Sequence, residues 1–174
     1  MTALRKKTRR FAALVSAAML AVVMLGTPAT AGMSWLMEII IKLVFPVTID
    51  KVSDLEFGRL SVGGAGGTAV VAPAGTLSVT GDVVDEGGTV TAAEFDVTGH
   101  FLLDYDIILP TSTVLSSGGD TMVVNTFVSD KPGNSGDIPL SGEDSFKVGA
   151  TLNVGGSQAT GTYNGTFDVS VAYQ

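Results

Sequence analysis

The sequence predicts an all-β fold, an antiparallel immunoglobulin-like β-sandwich, and three observations carry that expectation. Short runs rich in Val, Thr, Ile and Phe recur between clusters of Gly, Asp, Asn and Ser, the composition of strands separated by turns. Apolar and polar residues alternate within the runs: Phe95, Val97, Phe101, Leu103, Tyr105 and Ile107 share one parity, and Asp96, Asp104 and Asp106 fall on the other. A period of two puts one face of each strand in the core and the other in water. No stretch after residue 50 carries a helical period.

Residues 1–31 read as a cleaved signal peptide. Arg5, Lys6, Lys7, Arg9 and Arg10 form a basic start, Phe11 to Leu25 is apolar, and Gly26, Thr27 and Pro28 break the run. Ala29-Thr30-Ala31 then fits the small-x-small cleavage pattern. The apolar run is shorter than the about 20 residues of a membrane-spanning helix, which favours removal over a permanent anchor. Export through the inner membrane is the expected route.

Residues 32–46 read as an N-terminal extension. Every odd position from Met33 is apolar: Trp35, Met37, Ile39, Ile41, Leu43, Phe45, and on into Val47 and Ile49. Fully extended, Met33 to Ile49 would reach roughly 55 Å at about 3.3 Å per residue. That is well beyond an ordinary strand. Pro46 removes a ladder donor and divides the run into an arm, 33–45, and a first domain strand, 47–50. Such an arm needs a groove for its apolar face, supplied by its own domain or by another subunit. A helix competes, because Ser34, Glu38 and Lys42 lie at i, i+4 spacing. The β-branched Ile39-Ile40-Ile41 and Val44 favour the strand. A long edge strand of the same domain is the third reading.

Residues 47–174 form the sandwich domain. Strands are expected near 55–62, 68–72, 76–84, 89–98, 101–109, 121–129, 145–154 and 162–173. Turns are expected at Gly63–Gly67, Asp85–Gly88, Ser117–Asp120 and Lys131–Asn134, each rich in residues that tolerate positive φ or fix a turn. In the last strand Tyr163, Phe167, Val169, Val171 and Tyr173 alternate with Thr162, Asn164, Thr166, Asp168, Ser170 and Ala172. Two faces so different suit a final core strand, and equally an edge that receives a partner strand.

Composition excludes several functions. With the signal removed, five basic and 17 acidic residues remain, a net charge of −12, which argues against a nucleic-acid partner. There is no cysteine and one histidine, His100, so disulfides, thiol catalysis and Cys- or His-cluster metal sites are out. Asp104 and Asp106 with Asp82 or Asp120 offer oxygen ligands for calcium, but no D-x-D-x-D-G loop is present. Gly63–Gly67 lacks the lysine and helix of a phosphate loop. Asn164-Gly165-Thr166 forms a sequon inside a strand, and reads as incidental. No enzymatic activity, cofactor, metal or small-molecule substrate is expected.

The terminal segment resembles a known family. Gly161, the alternating apolar residues after it and the penultimate Tyr173 resemble the C-terminal strand of chaperone–usher pilins. Asp54-Leu55-Glu56-Phe57-Gly58 is similar to the L-x-F-G opening of spore-coat-U-like archaic pilins and of related uncharacterised proteobacterial secreted domains. The latter also carry a strand like Val148-Gly149-Ala150-Thr151-Leu152-Asn153-Val154 before the terminal one. The resemblance spreads over most of 47–174. It implies an incomplete sandwich completed by a donor strand, with like subunits joined head to tail. The inserting side chains would be Trp35, Met37, Ile39, Ile41, Leu43 and Phe45. The receiving strand would be Gly161, Tyr163, Phe167, Val169, Val171 and Tyr173. It further implies a periplasmic chaperone and an outer-membrane usher as partners, and a cell-surface fimbria supporting adhesion or biofilm. A monomeric secreted or outer-membrane-associated binding module is the alternative.

Overall fold

The computed structural model describes residues 44–174. The signal peptide and Trp35, Met37, Ile39, Ile41 and Leu43 of the arm lie outside the described residues. The domain is an all-β sandwich in which every strand pair is antiparallel. Its strands are β1 (Thr48–Ser53), β2 (Glu56–Phe57), β3 (Leu60–Val71), β4 (Leu77–Asp85), β5 (Val90–Thr91) and β6 (Ala93–Thr98). They continue as β7 (Asp104–Ile108), β8 (Ser112–Ser117), β9 (Asp120–Ser129), β10 (Ser135–Asp137), β11 (Glu143–Val154) and β12 (Ser170–Tyr173).

The large sheet is organised around β11. One edge of β11 carries β6 along Glu143–Val148 and then β3 along Ala150–Val154, while β9 runs along the other. β1 closes the sheet beyond β6, β4 beyond β3 and β8 beyond β9. The small sheet has the order β10-β7-β12.

The alternation read from the sequence becomes the core. Phe95, Val97, Tyr105, Ile107, Phe146, Val148 and Leu152 are buried, with Ile138 and Val124 between them. Phe95 stacks on Phe146 at a centroid separation of 5.4 Å. Tyr105 reaches out of this core to donate a hydrogen bond to Asp144 at 2.8 Å. Lys131 donates to both carboxylate oxygens of Asp144. Burial pushes the Asp144 carboxyl up, but the hydrogen bonds from Lys131 and Tyr105 outweigh it and hold the group below the usual carboxylate range. Burial first, and then the Asp144 carboxylate, raise the Tyr105 hydroxyl above its ordinary value.

Several expected boundaries move. Gly63–Gly67 is no turn: β3 runs straight through it, with a bulge between Val62 and Gly67 against β4. Gly66 takes φ +74 there, and a Cβ would strike the Val154 carbonyl, so the glycines absorb the extra residues of a bulge. The stretch 101–109 pairs only over Asp104–Ile108, since Leu102 sits at φ 60 in a turn. Phe101 therefore leaves the core and is 45% exposed. Asp82 accepts from the Ala65 amide, while Asp106 accepts from Gln174. Among the described residues no group of three or more His, Asp or Glu is arranged to hold a metal.

Candidate functional site

The terminal segment, expected as one strand over 162–173, is a ladder only over Ser170–Tyr173, where it pairs with β7. Upstream it follows β8 instead. Asn164 bridges Ser116 through both backbone groups, and Thr113 Oγ1 donates to the Thr166 carbonyl at 2.6 Å. β8 belongs to the large sheet and β7 to the small one, so the segment crosses from one sheet to the other. A chain in transit between sheets cannot keep a continuous ladder, which is why the middle of the predicted strand is irregular.

Its side chains keep strict alternation nonetheless. Tyr163, Phe167, Val169, Val171 and Tyr173 are all half-buried, while Thr162, Asn164, Thr166, Asp168, Ser170 and Ala172 are exposed. Phe167 marks the crossing: its ring lies 4.9 Å from Phe127 and 6.5 Å, edge-on, from Phe95. Val169, Val171 and Tyr173 pack on the same core. Tyr163 is held locally, donating to the Ala159 carbonyl and accepting from Gln158. Gly161 and Gly165 let the segment lie close to β8: a Cβ on Gly165 would come within 2.5 Å of the Val114 carbonyl, and one on Gly161 would strike Ser117.

Among the described residues no strand pairs with the outer side of this segment: β12 has β7 as its one ladder neighbour there, and β1 has only β6. These two edges approach each other without a ladder between them. Among the described residues, the backbone from Gly165 to Val169 has one hydrogen bond, the Thr113–Thr166 contact. Donors and acceptors in such a row form a template for another strand. No large apolar side chain of the segment is fully covered, although Phe167, Val169, Val171 and Tyr173 pack on the core.

Phe45, the described one of the six inserting side chains, is 70% exposed. Its backbone carbonyl accepts a hydrogen bond from the Tyr173 hydroxyl, which itself accepts from the His100 amide at 2.6 Å. The arm therefore leaves the domain beside the last residues of β12. Sequence reasoning missed β8 as the bed of the terminal segment, because Ser112–Ser117 is rich in Ser and follows Pro110. It also missed the seat of Phe167. Alternation identifies which residues point inward and is silent on which sheet they reach.

A family described as "Domain of unknown function (DUF4402)" matches residues 47–173. The chain belongs to the DUF4402 family. The match takes in every strand of the sandwich, including the terminal segment. No curated protein and no solved structure matches this DUF4402 chain.

Proposed function

We propose that this DUF4402 protein is a structural subunit of a bacterial surface filament assembled by donor-strand complementation. Residues 33–45 of one subunit add to the open edge of Gly161–Tyr173 in the next. The observation that carries the reading is that edge: an inward-pointing apolar row left half-covered, beside backbone groups with no ladder partner among the described residues. An added strand supplies both deficits together, covering Phe167, Val169 and Val171 and pairing the free backbone. The resemblance of Gly161–Tyr173 to pilin terminal strands points the same way.

The position of Phe45 sets the direction. The arm leaves at the Tyr173 end, so in a head-to-tail chain it enters the next groove from the Gly161 end and runs antiparallel to the receiving strand. Such a heterologous contact does not close on itself and yields an open filament. The apolar arm and edge require cover before assembly, the role of a periplasmic chaperone, with an outer-membrane usher at the exit. The filament reading assigns no reaction, cofactor or nucleic acid to the chain, and places it at the cell surface in adhesion or biofilm.

A second reading has one observation in its favour. The Tyr173–Phe45 hydrogen bond ties the root of the arm to the chain's own terminal strand, as an arm folded back in cis would require. The protein would then be a monomeric secreted or outer-membrane-associated module. Native exported protein, run unheated and boiled beside a 33–43 deletion, separates the two. A ladder of multimers that collapses on boiling and vanishes with the deletion is expected. A single monomer band in every lane would overturn the filament.

A further inference from the structure

The end of the domain where the arm leaves carries several exposed apolar side chains. Phe45 and Leu140 are the most exposed large apolar side chains among the described residues, at 70% and 77%. Phe45, Phe101 and Leu140 line one open cavity of about 460 Å³, whose wall also carries Thr98, Ser141 and Glu143. His100 bridges the aromatic pair, its ring 4.7 Å from Phe101 and 6.1 Å from Phe45. Scattered apolar side chains are normal on a surface, but a contiguous set around one hollow marks a contact.

We propose that this collar is an end-on interface for a second copy of the chain, distinct from the strand exchange itself. The proposal rests on the filament reading, and the length of the arm selects the occupant. Residues 33–44, if extended, span about 40 Å at roughly 3.3 Å per residue. The receiving row, Gly161–Tyr173, has a similar count of 13 residues, and β11 has 12. An arm that fills its neighbour's groove has no residues left for a linker. The neighbour is thus drawn directly against Phe45, Phe101 and Leu140. The end presented to the collar is the far end of β11, where the Gly118-Gly119 and Gly155-Gly156 turns lie. Turns without side chains admit an apolar ring to close range. The collar buries its exposed rings only in the assembled state, so it stiffens the joint and slows its opening, and the arm supplies the tether.

The test uses the exported full chain in three forms: wild type, a 33–43 deletion, and Phe101→Ser with Leu140→Ser. Multimers are followed on gels heated in steps, and filament bending by electron microscopy. The collar variant is expected to form arm-dependent multimers whose ladder collapses at least 10 °C below wild type, with visibly more flexible filaments. A ladder of unchanged collapse temperature and stiffness would overturn the collar and leave the strand exchange standing. A monomeric wild type would overturn both. Should the double variant fail to fold, Leu140→Cys replaces it, since the chain has no other thiol. Its labelling by a maleimide should slow at least tenfold in multimers relative to the arm deletion. Equal rates would refute the interface, and slow labelling already present in isolated monomers would assign the collar to the chain's own arm.

Discussion

The hydroxyl of Tyr173 donates to the backbone carbonyl of Phe45 at 2.8 Å, joining residues 128 positions apart. The same oxygen accepts from the His100 amide. One side chain thereby holds the root of the arm, the β6–β7 turn and the end of β12 together. Tyr173→Phe keeps the ring and removes both bonds. Water can reach the freed groups, so the expected loss is about 1 kcal/mol. Chemical denaturation should show a lower midpoint with an unchanged slope, and hydrogen exchange at the His100 amide should accelerate.

Phe167 anchors the crossing of the terminal segment between the two sheets. It touches Phe127 and Phe95 but is only half-buried. Phe167→Ala should cost about 2–3 kcal/mol, somewhat below the range for fully buried aromatics. Proteolysis under native conditions should then cut the chain between Thr160 and Val169, where few backbone bonds resist opening.

The Tyr105–Asp144–Lys131 network makes stability depend on pH at both extremes. Asp144 is held below its ordinary range, so its contribution is complete above about pH 4 and is lost as pH falls through the depressed value. Tyr105 is held above its ordinary range. Its contribution is complete below about pH 10 and is lost as pH rises beyond that. Urea melts across pH should fall on both sides of a broad plateau. Tyr105→Phe should flatten the alkaline limb, and Asp144→Asn the acid one.

Thr126 occupies φ 51 in β9, opposite the register shift between Gly149 and Thr151 of β11. A β-branched residue is strained in the left-handed region, by about 1–2 kcal/mol. Its side chain is exposed and makes one bond, to Asn125. Thr126→Asn should therefore stabilise the domain by about 0.5–1 kcal/mol, since Asn tolerates this conformation. Thermal unfolding should shift upward by several degrees, and an unchanged or lower midpoint would contradict the strain.

Much of the fold was legible in the residues themselves. The parity of Phe95, Val97, Tyr105 and Ile107 is the core face of β6 and β7, because a strand alternates sides whatever it pairs with. The same rule assigned Tyr163, Phe167, Val169, Val171 and Tyr173 to one side of the terminal segment; all five are half-buried, and the last four pack on the core. Side-chain alternation is a property of the local backbone, and a single sequence carries it in full.

Pairing was decided in three dimensions. Gly63–Gly67 has the composition of a turn, yet it is a bulge, because β4 continues alongside and keeps the strand in register on both sides of it. Ser112–Ser117 has little strand signal and becomes β8 because β9 supplies its ladder. The terminal segment shows the same division most clearly. Its alternation is written in the residues, but its transfer from β8 to β7, and the open edge this leaves, depend on which strands end at Pro110 and which sheets they join. Hydrogen bonds between distant strands are settled by the partner's position, which no local pattern records.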